Sequence, residues 1–175
     1  MKTIILSLVM TLVVSIQAHS QDIFQAAREN NVVALEAQIK TGINIDSANT
    51  KGFTPLILAI YNDSYEAANL LIKSGAAINA QDKSGNNALM GAIFKANTRM
   101  VDLLLQNNAD VNQVNFNGAS ALIFAATFGK VEIIQALLNK NADTTLKDNR
   151  GMTALDHAKI QENKELISML EKYSK

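Results

Sequence analysis

Apolar residues occur along this chain in short blocks separated by polar turns, and the blocks recur at a fixed interval. Each interval opens on a glycine, at positions 52, 85, 118 and 151, so the period is 33 residues. Apolar residues three and four positions apart share one face of an α-helix, and each interval holds two such blocks. A repeated pair of short amphipathic helices predicts a solenoid, in which neighbouring units bury each other's apolar faces.

The polar residues around each block predict where the helices begin and end. The N-caps predicted for the first helix are Thr54, Asn87, Ser120 and Thr153, whose side chains can accept a hydrogen bond from the first turn. The second helix carries the core pairs Leu71-Ile72, Leu104-Leu105 and Leu137-Leu138, with Leu170 in register. It is predicted to end at Gly42, Gly75, Asn108 or Asn141, residue types that tolerate a left-handed backbone.

A tight turn follows each second helix. Asp82, Asn115 and Asp148 each stand three residues before a glycine, as type I turns favour, because the side chain bonds the backbone two residues on. These turns are predicted to be hairpin fingertips. Gly91 lies inside a predicted helix at a cost of about 1 kcal/mol relative to alanine, which suggests a close backbone contact there.

Four eight-residue segments of the sequence resemble a known family. They read Gly52-Phe53-Thr54-Pro55-Leu56-Ile57-Leu58-Ala59, Gly85-Asn86-Asn87-Ala88-Leu89-Met90-Gly91-Ala92, Gly118-Ala119-Ser120-Ala121-Leu122-Ile123-Phe124-Ala125 and Gly151-Met152-Thr153-Ala154-Leu155-Asp156-His157-Ala158. This resembles the ankyrin repeat, whose pattern is T-P-L-H-x-A at this period. The resemblance implies an all-α ankyrin-repeat solenoid of stacked helix-turn-helix units with β-hairpin fingertip loops. The family's histidine is replaced by Ile57, Met90, Ile123 and Asp156, which implies more apolar packing at that layer.

The repeat register and the first residues predict the organisation of the chain. Residues 1–20 read as a signal peptide, with Lys2, an apolar centre and Ala18-His19-Ser20 before the cleavage point. The apolar centre is shorter than the roughly 20 residues of a membrane anchor, the alternative interpretation. Residues 21–175 form one ankyrin-repeat domain, with an N-terminal cap at 22–51, repeats at 52–84, 85–117 and 118–150, and a C-terminal cap at 151–175. We expect an exported protein, periplasmic or secreted.

The composition of the chain limits which partners, cofactors and reactions we expect. The chain has no cysteine, which excludes disulfides and thiol catalysis, and without Lys2 it has 15 basic and 16 acidic residues. Such a balance offers no net field for phosphates or anionic lipid, so neither nucleic acid nor a membrane surface is an expected partner. After signal removal His157 is the only histidine, and its neighbour Asp156 points to a different side of the helix. We therefore expect no metal, no cofactor, no enzymatic activity, and a monomer.

The remaining candidate function is protein binding. Ligands of ankyrin repeats usually meet the fingertips and the exposed end of the first helix. By register, the resemblance implies these partner-binding residues: Lys51, Phe53, Tyr61, Asn62, Lys83, Asn86, Phe94, Lys95, Phe116, Asn117, Phe128, Arg150 and Met152. Five of the nine aromatic residues are among them. Aromatic side chains are enriched in binding hot spots. Phe24 and Phe124 are predicted to be core residues.

Several functions stay open within this reading. Tyr61, Phe94 and Phe128 could instead stack on one another and seal the surface between repeats. The family resemblance suggests an immunity protein that covers a toxin's active site, or an accessory to an oxidative-stress enzyme such as catalase. A carrier of a small ligand such as haem, or a structural scaffold without a specific ligand, are the alternatives.

Overall fold

The computed structural model describes residues 22–128 and 130–173, so the predicted signal peptide lies outside the described residues. The described chain forms ten helices in five consecutive pairs. They are α1 (Ile23–Arg28), α2 (Val32–Lys40), α3 (Pro55–Tyr61), α4 (Tyr65–Lys73), α5 (Ala88–Phe94), α6 (Thr98–Gln106), α7 (Ala121–Phe128), α8 (Val131–Asn139), α9 (Ala154–Ile160) and α10 (Lys164–Tyr173). None of the described helices is long and apolar enough to cross a bilayer.

The predicted starts of the first helices are confirmed by hydrogen bonds, and the predicted ends of the second helices by their backbone angles. Thr54, Asn87 and Thr153 accept a bond from the first turn of α3, α5 and α9. Ser120 does the same for α7, with 3.4 Å between its hydroxyl oxygen and the Ile123 nitrogen. The residues predicted to end the second helices all have positive φ: Gly42 (79°), Gly75 (88°), Asn108 (61°) and Asn141 (59°).

The helices form two rows. The first helices of successive pairs pack against each other from α1 through α9, and each also packs against its own second helix. Alanines at the centre of the first row, including Ala59, Ala92, Ala125 and Ala158, are fully buried, which lets neighbouring helices approach closely. Leu71, Leu104, Leu137 and Leu170 of the second row are also fully buried. The core is therefore a continuous strip along the stack.

The layer that carries histidine in the family is apolar here. Ile57, Met90 and Ile123 are 1%, 0% and 3% exposed, as predicted from the sequence. The fourth member, Asp156, instead completes a capping box with Thr153 at the start of α9.

The turns between pairs are closed by backbone bonds, yet the β-hairpins are not confirmed. In each turn the first residue's amide bonds the carbonyl four residues on, as from Asp82 to Asn86 at 2.9 Å. Within the described residues the only bridge of β type outside helices joins Val114 and Ser120. The fingertips are therefore tight turns without paired strands.

Successive turns are tied together. The Lys83, Phe116 and Asn149 amides each donate to a carbonyl of the preceding turn, at 3.4, 3.1 and 2.9 Å. The turns consequently form a row beside the first helices. We call the surface formed by this row of turns and the ends of the first helices the inner surface.

Candidate protein-binding groove

The centre of the inner surface is an exposed aromatic cluster from α5 and α7. The rings of Phe94 and Phe128 meet edge to face with centroids 5.4 Å apart, and Phe124 lies 6.0 Å from Phe128. Phe94 and Phe128 remain 53% and 50% exposed. Of the three rings that the alternative interpretation stacks together, Phe94 and Phe128 do contact each other, but half of each remains open to contact. This edge-to-face arrangement is one that aromatic pairs prefer.

Tyr61 and Phe53 form a separate, partly buried pair in the preceding repeat. Their ring centroids are 5.7 Å apart, and both pack against the core. The ring of Tyr61 lies over Gly91, where a Cβ would come within 3.2 Å of it. Gly91 therefore makes room for a side chain, whereas the sequence suggested a backbone contact. Burial, followed by the charge of Asp82, raises the pKa of Tyr61 above its ordinary value.

The predicted fingertip residues stand in the row of turns. Lys51, Lys83, Asn117 and Arg150 are exposed, and Phe116 is 67% exposed. The Phe116 ring folds toward the preceding turn, since a Cβ on Gly85 would lie 2.7 Å from its Cδ1 atom. Phe116 is thus both a turn-packing residue and an exposed apolar surface.

Four other predicted residues differ in how far internal contacts use them. Asn62 donates to the Leu58 carbonyl at 2.8 Å, and Asn86 accepts from Asn115 at 2.9 Å. Met152 is partly buried and its amide bonds Asp148. Lys95 ends α5 beside Phe94 and is exposed. Asn86 and Met152 therefore position the turns more than they present a free surface.

A groove of about 380 Å³ opens on the inner surface between α7, the last turn and α9. It brings the predicted residues Asn117, Phe128 and Arg150 together. Lys51, Phe53 and Tyr61 are not part of it. The complete lining is Asn115, Asn117, Ala119, Ile123, Phe124, Thr127, Phe128, Asp148, Asn149, Arg150 and His157.

Sequence reasoning missed Phe124 and His157 in this groove. Phe124 was predicted to be core, but it is only partly buried: its ring packs against the core and also lines the groove. The two residues occupy equivalent positions of α7 and α9, one period apart. The repeat register could have placed them together, as it did the residues at the helix ends.

His157 links three elements beneath the groove. Its Nε2 lies 3.0 Å from Asp148 Oδ2, and its Nδ1 lies 3.3 Å from the Thr127 hydroxyl. The side chains of His157 and Asp148 are 11% and 8% exposed. The partner of His157 is therefore a carboxylate nine residues earlier, and the adjacent Asp156 is engaged by Thr153 instead.

Asp148 is held as an anion. Its Oδ1 accepts from the Arg150 and Met152 amides at 2.9 and 3.0 Å. The Met152 amide, then His157 and Arg150, lower the pKa of Asp148 to about 2. With the hydroxyl of Thr127 also 3.0 Å from the Ile123 carbonyl, this Asp-His-Thr arrangement ties the last turn to α7 and α9. Among the described residues no group of three or more His, Asp or Glu side chains could hold a metal ion.

Comparison with known proteins is consistent with the repeat register. A family model described as ankyrin repeats (3 copies) matches residues 23–115 and 89–174. No curated protein matches the chain.

Proposed function

We propose that this chain, which belongs to the ankyrin-repeat family, binds a partner protein through its inner surface, with the Phe94–Phe128 pair as the principal contact. Ankyrin repeats are protein–protein interaction modules, and the proposal adds where on this chain the partner lies and that the role is not enzymatic. The observation that carries it is the exposure of two large aromatic rings that touch each other, one of which, Phe128, lines a groove.

The energetic argument favours binding over a merely structural role. Burying an exposed aromatic ring removes a large apolar area from water, and a paired ring loses little side-chain entropy when a partner covers it. The core of the fold does not require this exposure, because Leu89, Ile93, Leu122 and Ile123 already fill the strip beneath. Truncation of such an anchor costs roughly 2 kcal/mol or more of binding free energy.

The proposal also includes the cellular location of the partner. Residues 1–20 have the pattern of a signal peptide, which supports a partner in the periplasm or outside the cell. Two roles fit an exported repeat protein: an immunity protein covering a toxin, or an accessory to an oxidative-stress enzyme such as catalase. A toxin or catalase gene beside this one would favour the corresponding role.

A capture experiment tests the proposal. Tagged wild-type protein and the Phe94→Ala/Phe128→Ala variant are incubated with a periplasmic extract of the source organism, and bound proteins are identified by mass spectrometry. We expect one partner that the wild type retains and the folded variant loses. Val33→Ala is the matched control, because Val33 is 61% exposed and lies on α2, a second helix.

Two results would count against the proposal. A partner bound equally by all three proteins would move the contact away from the aromatic pair. Loss of thermal stability in the double variant, with no partner lost, would favour a scaffold without a specific ligand.

Haem carriage is disfavoured by the surroundings of His157. Both imidazole nitrogens already contact Asp148 and Thr127, so axial ligation would break one of these contacts. Addition of haem followed by an absorbance scan checks this directly: a Soret shift that disappears in His157→Ala would restore the carrier hypothesis.

A further inference from the structure

The distribution of charge on the row of turns differs from that of the whole chain. The formal net charge of the protein is zero. The four turns at 49–52, 82–85, 115–118 and 148–151 carry the cations Lys51, Lys83 and Arg150, and Lys95 adds a fourth beside Phe94. These turns contain only two carboxylates, those of Asp82 and Asp148.

Both carboxylates are already satisfied inside the protein. Asp82 is 7% exposed and accepts from the Ser84 and Asn86 amides at 2.8 and 2.9 Å. Asp148 is bound by two amides and by His157. Neither presents a free negative charge to a partner, so the row of turns exposes cations and no free carboxylate.

The cations, in contrast, point outward. Within the described part of the chain no ion pair involves Lys51, Lys83 or Lys95. The Arg150 side chain is 68% exposed and holds only two long contacts of 3.4 Å to Asp148. A guanidinium with unused N–H groups is suited to a carboxylate, which it can bind through two parallel bonds.

We infer that the partner presents an acidic segment, in which a large apolar or aromatic side chain enters the groove beside Phe128 and neighbouring carboxylates meet Arg150 and Lys83. This inference rests on the proposed function and names the chemistry of the partner at the same surface. The groove of about 380 Å³ is near the lower end of the size of small-molecule sites, about 300–1,000 Å³, which suits one or two side chains. Phe124 and Phe128 supply its apolar wall, and Asn149 and Arg150 its polar one.

The test begins with a random-peptide display library selected on the purified wild-type protein. Peptides that also bind Phe128→Ala are removed by counter-selection. We expect the survivors to combine an aromatic or leucine residue with at least two nearby Asp or Glu residues. Survivors that are neutral or basic, or a selection that leaves none, would overturn the inference.

A charge comparison follows by fluorescence polarisation. One selected peptide is compared with its analogue in which Asp and Glu are replaced by Asn and Gln. We expect the analogue to bind about tenfold more weakly at low salt, since it loses at least two exposed ion pairs. The difference should shrink as salt screens the charges. Equal affinity of the two peptides would overturn the inference.

A matched pair of variants assigns the effect to the row of turns. Lys83→Gln/Arg150→Gln should reduce binding of the acidic peptide by a similar factor, whereas Lys40→Gln/Lys73→Gln, which removes the same charge from second helices, should leave it within about twofold. Equal loss in both variants would mean general electrostatic attraction and would overturn the assigned contact.

The proposed function and this inference can fail separately. A partner captured from extract that is lost in Phe94→Ala/Phe128→Ala but binds Lys83→Gln/Arg150→Gln as tightly as the wild type would preserve the proposed function and overturn the acidic segment. If acidic peptides are selected but capture of the partner is unaffected by Phe94→Ala/Phe128→Ala, the preference for an acidic segment would stand and the proposed function would be overturned.

Discussion

The glycine that closes each of the first three turns is constrained by the following turn as well as by its own backbone. A Cβ at Gly85, where φ is 77°, would lie 2.6 Å from the Phe116 nitrogen. Gly52 and Gly118 meet the next turn in the same way. Gly151 has nearly the same φ, 78°, but nothing within 4 Å of its would-be Cβ. The last turn therefore needs glycine for its backbone alone.

This difference predicts unequal costs for one substitution. Gly151→Ala should destabilise the protein by about 1–2 kcal/mol, the penalty of a left-handed backbone for a residue with a Cβ. Gly85→Ala should add roughly 1–3 kcal/mol, because two backbones must separate. Urea unfolding of both variants measures the comparison. Equal free energies of unfolding for the two variants would show that a Cβ at position 85 does not push the neighbouring turns apart.

Sequence reasoning at single residues succeeded where the cause was local. The four N-caps of the first helices and the left-handed ends of the second helices follow from one side chain and its own backbone, and all were confirmed. Gly91 could not be explained in this way. Its reason is the Tyr61 ring, which belongs to the preceding repeat and reaches it only in the stacked fold.

At the scale of elements, Asp148 fastens the last turn to α9. Asn115 occupies the same position one repeat earlier, and its side-chain oxygen accepts from the Asn117 and Ala119 amides at 2.9 and 3.0 Å. An asparagine can therefore hold such a turn, but it lacks a second carboxylate oxygen for His157. The sequence pattern predicted the turn and not this bond, because helix-face reasoning compared His157 only with its neighbour.

We predict that the Asp148→Asn protein keeps the turn but loses the part of its folding stability that depends on the charge of Asp148. The pKa of Asp148 in the folded protein is about 2, below the ordinary value of 3.8. A lowered pKa means that the charged form stabilises the fold: the contribution is complete above about pH 4 and is lost as the pH falls toward 2. Asp148→Ala removes the turn bonds too and should cost about 1.5–3 kcal/mol at neutral pH.

Urea unfolding between neutral pH and pH 2 measures these differences. The stability gap between wild type and Asp148→Asn should narrow as the pH falls below 4. Other carboxylates with lowered pKa, including Glu66 and Asp156, are common to both proteins and cancel in the comparison. A gap that is constant with pH would mean that the charge of Asp148 contributes nothing.

At the scale of the whole molecule, a stack of helix pairs transmits a perturbation mainly to the adjacent pair. The groove lies between α7 and α9, so it depends on the C-terminal pair and is remote along the chain from α1 and α2. The repeat period alone predicted the stack. It could not predict which pair of repeats would carry the groove, because that depends on non-repeated side chains such as Phe128, Arg150 and His157.

Two leucine truncations in the core, one at each end of the stack, should therefore differ in their effect on the groove. Leu35 of α2 and Leu170 of α10 are both fully buried, and truncation of either to alanine should cost about 2–5 kcal/mol locally. Hydrogen exchange followed by mass spectrometry should show faster exchange at 148–173 in Leu170→Ala and at 23–40 in Leu35→Ala. Since a partner binds only the assembled groove, opening of α9 and α10 lowers its apparent affinity in proportion to the closed fraction. Exchange that accelerates equally along the chain in both variants would instead mean that the repeats unfold as one unit.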